Sequence, residues 1–282
     1  MAGALRQGLY ATVLDQHPEG GRPRIAFCHG LFGQGKNWTT VAKQLSDDYA
    51  VTLIDMPNHG RSDWTDELSY PALADRLAGF LADADGGEKW NVVGHSMGGK
   101  IAMALALRHP DLVQRLCVVD IAPVDYRGKS EFDRYADAMR SVDLDQLRSR
   151  SEADDQLRSA VPDPTVRGFL LQNLRRSAGG SHHAGWHWQM NLRLLGDQLD
   201  RLTDWPDPFP GRGNVLPSYP GPTLWVAGAD SDYIKPEYAP AMKGLFPRVR
   251  SIKIKSARHW VHSEQPEIFV QVLRRFLDQP AS

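Results

Sequence analysis

The sequence predicts an α/β protein, a mostly parallel central sheet flanked by helices, and three observations lead there. Short β-branched runs alternate with segments whose apolar residues recur at helical spacing. The inner runs are apolar throughout rather than alternating, as strands covered on both faces must be. A glycine-bracketed serine, Gly94-His95-Ser96-Met97-Gly98, follows the apolar run Trp90 to Val93 and opens an Ala/Leu-rich helix.

Taken in order, strands are expected at 9–14, 24–28, 51–54, 91–93, 115–119, 223–227 and 251–254. Helical spacing marks 38–45, 70–81, 101–107 and 268–277, with the helix after Ser96 running from Met97 to about Arg108. From 125 to 222 strands are expected to disappear. Amphipathic helices take their place at 130–147 and, after an Asp163 cap with Pro164 at the first helical position, at 165–176. A Pro/Gly-rich stretch, 205–222, then returns the chain to the sheet. The reading is a core of residues 1–124 and 221–282, with a helical lid insertion at 125–220.

Composition bounds the function. With 282 residues and 41% hydrophobic content, one large domain with an insertion is affordable. Its 33 basic and 34 acidic residues are interspersed and leave a formal charge of −1, so nothing favours phosphate neutralisation and nucleic acid is not expected as a partner. No run approaches the roughly 18 to 20 apolar residues of a membrane span, and no signal-type apolar core follows the first Arg; a soluble, cytoplasmic protein is expected. Cys28 and Cys117 lie inside strand runs and read as small buried hydrophobes.

Chemistry concentrates at Ser96. A strand turning sharply into a helix strains its central residue and leaves no room for side chains two positions before and after, which is why Gly94 and Gly98 flank it. The turn also sets Ser96 at a helix N-terminus, where free N–H groups can stabilise a developing oxyanion. A serine hydroxyl needs a base. His259, between the last strand and the last helix, is the candidate; His262 lies nearer the helix start and is expected to pack or cap there. His183 and His187 are spaced i, i+4, but no carboxylate lies between them and a glycine interrupts the helix, so no metal site is expected.

Two places offer the acid that would orient the imidazole. One is the loop after strand 223–227, where Ser231 occupies the usual acid position between Asp230 and Asp232. The other is Asp120, at the end of Val118-Val119-Asp120-Ile121-Ala122-Pro123, where a carboxylate between apolar segments needs a partner. Asp120 is favoured, with Ser231 hydrogen-bonding nearby. For the oxyanion, the Met97 N–H is joined by Leu31 N–H of the loop His29-Gly30-Leu31-Phe32-Gly33, with His29 supporting that loop. The turn Asp55-Met56-Pro57-Asn58-His59-Gly60-Arg61-Ser62 reads as structural. Phe32, Trp186 and Trp188 are the expected substrate contacts.

With each motif in its expected order, the chain resembles the α/β-hydrolase superfamily over nearly its whole length. The segments Asn58-His59-Gly60-Arg61-Ser62, Gly94-His95-Ser96-Met97-Gly98-Gly99-Lys100, Asp120-Ile121-Ala122-Pro123 and His259-Trp260-Val261-His262 narrow this to a resemblance to the YbfF-type serine esterases and their mitochondrial relatives. That resemblance implies Asp120 as the acid with a serine, here Ser231, at the usual acid position. Arg258 departs from it, standing where a glycine commonly precedes the histidine; it could narrow the pocket or salt-bridge to the lid. The expected activity is hydrolysis of small carboxylic esters through an acyl-enzyme, without cofactor. The alternatives are a lyase of the menaquinone-pathway type and a non-catalytic ligand-binding protein of this fold. Ser231 argues against the first, and the intact Ser96, His259 and oxyanion loop against the second.

Overall fold

The structure is a computed structural model that describes residues 2–15, 21–84, 87–128, 131–177, 185–206, 209–210 and 217–279. Its strands are β1 (Ala2–Arg6), β2 (Leu9–Leu14), β3 (Arg24–Cys28), β4 (Ala50–Ile54), β5 (Trp90–His95), β6 (Val113–Val119), β7 (Leu174–Arg176), β8 (Trp186–Trp188), β9 (Thr223–Gly228) and β10 (Val249–Ile254). Eight of them make one sheet in the order β1-β2-β4-β3-β5-β6-β9-β10. Only β2 runs against its neighbours, so the sheet is mostly parallel as expected.

The helices are α1 (Thr39–Leu45), α2 (Tyr70–Ala82), α3 (Met97–Arg108), α4 (Phe132–Arg140), α5 (Arg150–Leu157), α6 (Pro164–Leu171), α7 (Leu192–Asp197), α8 (Leu199–Thr203), α9 (Ala239–Leu245), α10 (Val261–Glu264) and α11 (Pro266–Leu277). Side chains of α1 and α11 pack on one face of the sheet and those of α2 and α3 on the other, giving two apolar cores. From Met97 to Leu107 every residue of α3 is buried, because α2 covers the side turned away from the sheet. Its apolar composition has that cause.

Between β6 and β9 the chain forms α4 to α8 over the carboxyl ends of the parallel strands. Asp163 caps α6 as its sequence predicts, its carboxylate accepting from Thr165 and Val166 N–H. Three expectations need correction. The segment is not free of strands, since β7 and β8 pair in an antiparallel hairpin. The helix expected to run to Arg176 ends at Leu171, because Asn173 turns its side-chain NH₂ onto Phe32 O and frees Leu174–Arg176 to pair with the strand-favouring Trp186–Trp188. The helix expected over 130–147 covers Phe132–Arg140, where Ser141 stops it by donating its hydroxyl to Ala138 O; Ser130 lies outside the described residues. Strand β1 is an addition. Its Ala/Gly-rich run carries little strand signal, and the two-residue Gln7-Gly8 loop, both at positive φ, joins it to β2.

Candidate active site

Ser96 sits where β5 ends and α3 begins, at φ +51° and ψ −121°, a conformation an L-residue holds only under constraint. The constraint is visible at its neighbours. A Cβ on Gly94 would lie 2.2 Å from Gly98 O, and one on Gly98 would lie 2.4 Å from both Cys28 O and His29 O. All these contacts are backbone, so neither position can carry a side chain. Ser96 N–H donates to Val119 O at 3.1 Å and Lys100 N–H to Ser96 O at 3.0 Å, tying the turn to β6 and to its own helix.

The loop after β10 delivers His259, and its Nδ1–H donates to Asp120 Oδ2 at 2.9 Å. Asp120 ends β6 at φ +50° and is fully buried. Its carboxylate is satisfied from three sides: Gly228 N–H donates to Oδ1 at 3.0 Å, while Ser231 Oγ–H at 2.5 Å and His259 share Oδ2. Of the two places the sequence offers for the acid, the structure thus brings Asp120 and Ser231 to the imidazole. Asp230 and Asp232 are exposed, and neither carboxylate bonds to His259. Tyr233 covers the imidazole face, ring centroids 3.9 Å apart and 20° from parallel.

Because Nδ1 is the donor, His259 Nε2 is the acceptor, and it is buried with no hydrogen-bond partner. Ser96 and His259 line the same cavity of about 60 Å³ without being hydrogen-bonded to each other; such bonds are commonly long or misaligned until substrate is bound. Leu31 lines that cavity too, and together with Ser96 and Met97 it also lines a second of about 30 Å³. Among the described residues, neither Leu31 N–H nor Met97 N–H is used in a turn, loop or cap hydrogen bond.

The chain as a whole is similar to known proteins. Residues 23–266 match the family profile described as alpha/beta hydrolase fold. The chain belongs to the α/β-hydrolase family. It is 36% identical to the sn-1-specific diacylglycerol lipase ABHD11 of Mus musculus over 261 residues, 90% of this chain and 81% of that protein. It is 32% identical to Esterase YbfF of Escherichia coli (strain K12), covering 95% of this chain and 96% of the relative. Among solved structures, a marine microorganism esterase superposes with a TM-score of 0.86 at 31% identity, covering 97% of this chain and all of that one. This α/β-hydrolase is a carboxylic ester hydrolase.

What holds its loops is a set of buried neutral histidines. His29 donates Nδ1–H to Gly30 O and accepts Met56 N–H on Nε2, which is the supporting role expected of it. The 55–62 turn does more than turn the chain: His59 Nε2 accepts Phe32 N–H at 3.1 Å, so this turn holds the loop that carries Leu31. Sequence reading missed that contact, for which the only signal was a histidine within a Pro/Gly/Asn-rich turn. From the inserted segment, Asn173 bonds Phe32 O at 2.7 Å and Gln172 bonds Asn37 at 2.8 Å. Burial pushes His29 down to about 4 and His59 to about 3, so both stay neutral acceptors. His95, from the elbow, donates Nε2–H to His259 O at 2.8 Å; burial first, then the nearby His259 and His262, holds it well below the usual histidine range. His262 packs as expected, stacked 4.0 Å from the Trp38 ring.

The three aromatic residues expected as substrate contacts lie elsewhere. Phe32 is fully buried beneath its loop, and Trp186 and Trp188 lie on β8; none of the three lines either cavity beside Ser96. Phe132, Phe169 and Trp260 do. Arg258 is 64% exposed, with its guanidinium 3.9 Å from Glu264 on α10 and 3.9 Å from Asp163 on α6's cap, loose pairs of which the second reaches the inserted segment. His187 lies exposed on β8, and His183 falls outside the described residues. Cys28 and Cys117 are free and buried, as expected; burial pushes the Cys28 thiol up to about 12.

Proposed function

We propose that this chain is a serine esterase in which Ser96 attacks an ester carbonyl and passes its proton to His259 Nε2. Asp120 fixes the imidazole through Nδ1 and offsets the positive charge it gains. The carbonyl oxygen becomes an oxyanion bound by the Leu31 and Met97 N–H groups. As the C–O bond breaks, His259 returns the proton to the departing alcohol oxygen, leaving an acyl group on Ser96. Water then enters, loses a proton to His259 and adds to the acyl carbon; the acid leaves and the proton goes back to Ser96. Residues 125–220 serve as the lid.

The observation carrying this reading is the fixed tautomer of His259: a buried carboxylate holds Nδ1–H, so the unpartnered Nε2 is the basic nitrogen, and it belongs to a residue lining the cavity of Ser96. No arginine is among the described residues lining the two cavities at Ser96, so nothing there favours the carboxylate-binding lyase. The test is a fluorophosphonate probe together with p-nitrophenyl acetate. Wild type should be labelled on Ser96 and turn over the ester, and Ser96→Ala should do neither. Labelling elsewhere, or a fully active Ser96→Ala, would overturn the assignment.

A further inference from the structure

Lys100 takes no part in the proposed chemistry, yet it follows Ser96 by one helical turn and is 1% exposed. Its ammonium has three donors, and three carbonyl oxygens receive them: Val124 at 3.0 Å, Thr203 at 2.7 Å and Asp204 at 2.8 Å. The rings of Tyr70 and Tyr126 stand 5.5 and 4.9 Å from Nζ. Val124 is where the chain leaves the core; Thr203 and Asp204 close α8, the last helix of the lid among the described residues. A single cation therefore joins the start of the lid and the end of α8 to the helix that carries Ser96. Tyr126 N–H adds a direct bond between them, to Thr203 O at 2.9 Å.

These residues also close a space. The cavity of about 30 Å³ is walled by Ser96, Met97, Lys100, Tyr126, Phe132 and Leu202 among others, and His259 is not one of them. In ester cleavage the departing oxygen takes its proton from His259 Nε2, so the alcohol has to lie on the imidazole side. With the alcohol in the cavity that His259 lines, the acyl group is left the second cavity at Ser96. A cavity of ~150 Å³ takes up a benzene ring, so this one has room for about one or two carbons beyond the carbonyl.

Resting on the serine-esterase reading, we propose that Lys100 is a positioning residue that pins the start of the lid and the end of α8 against α3, closing the acyl cavity at the length of a short chain. The enzyme is thereby selective for acetyl and propionyl esters. An apolar side chain of the same length would leave the half-buried Val124 and Asp204 carbonyls without this donor and Thr203 O with Tyr126 N–H alone. They would turn to water, which requires these lid segments to separate and the cavity floor to open.

The experiment measures kcat and KM on p-nitrophenyl acetate, butyrate and hexanoate for wild type, Lys100→Met and Lys100→Gln, with folding checked by circular dichroism and thermal unfolding. Wild type should favour acetate over hexanoate by at least about tenfold in kcat/KM, since each misplaced methylene discriminates on this scale. Lys100→Met should shrink that preference by about tenfold or more, chiefly by lowering KM for hexanoate, with Lys100→Gln between the two. A wild type that prefers hexanoate, or a folded variant that keeps the wild-type preference, would overturn the proposal. So would unfolding of both variants, which assigns Lys100 to stability alone. A wild type that cleaves no ester at all would instead sink the serine-esterase reading.

Discussion

At the residue scale, the acid assignment gives the sharpest expectation, because Asp120 holds one tautomer of His259 and an amide cannot. Asp120→Asn should lower kcat about 10⁴-fold, the scale of a wrong-tautomer histidine. Asp230→Asn and Asp232→Asn should stay near wild type, since both side chains are exposed and neither touches the imidazole. Initial rates on p-nitrophenyl acetate decide it, and collapse of either exposed variant would move the acid. His59 acts at one remove, through the 3.1 Å bond that fixes Phe32 N–H next to Leu31. Loosening a donor by about 1 Å costs up to ~10²-fold, so His59→Ala should lose kcat on that order while KM changes little. An unchanged kcat would show that the loop holds without it.

At the scale of elements, the elbow works because backbone meets backbone where a side chain would stand. Gly98→Ala would drive a Cβ into the Cys28 and His29 carbonyls at 2.4 Å, and α3 would have to leave β3. Overpacking of this kind costs about 1–3 kcal/mol or more, and here it also displaces the Leu31 loop, so both melting temperature and turnover should fall. Gly79 supplies the contrast. It is an exposed position within α2 with nothing within 4 Å of a built Cβ, so Gly79→Ala should stabilise by about 0.5–1 kcal/mol and leave turnover alone. Thermal unfolding of the two variants side by side separates a glycine required by contact from one that is merely tolerated.

For the whole molecule, the packed loops make stability depend on keeping histidines uncharged. Burial holds His29 near 4 and His59 and His262 near 3, with His95 also well below the usual value. The unfolded chain protonates these groups at about 6.5, so below that pH it binds protons that the native state does not. Stability is therefore complete above pH 6.5 and falls as the pH drops toward 4 and then 3. Each group contributes about 1.4 kcal/mol per pH unit across its window, an upper figure because acid also draws on other groups. Melting temperatures from pH 7.5 down to 4.5 should show a steep decline beginning near 6.5, and a flat profile to pH 5 would contradict it. Among the described residues no helix is long and apolar enough to cross a membrane.

The sequence by itself determined the sheet apart from β1, the elbow, and Ser96 and His259 as residues lining one cavity there. Alternating apolar runs and glycines forced by contact are local signals, and Gly94-His95-Ser96-Met97-Gly98 states its geometry in five residues. It also narrowed the acid to two loops. Only the tertiary structure shows which of them touches the imidazole, because Asp120 and His259 are 139 residues apart and meet only when β6 and the loop after β10 end at the same edge of the sheet. The hairpin of β7 and β8, the bond from His59 to Phe32 and the triple bond set of Lys100 were also unreadable. The last two join groups distant along the chain, and a three-residue strand or a lone buried ammonium carries no periodicity that could announce its partner.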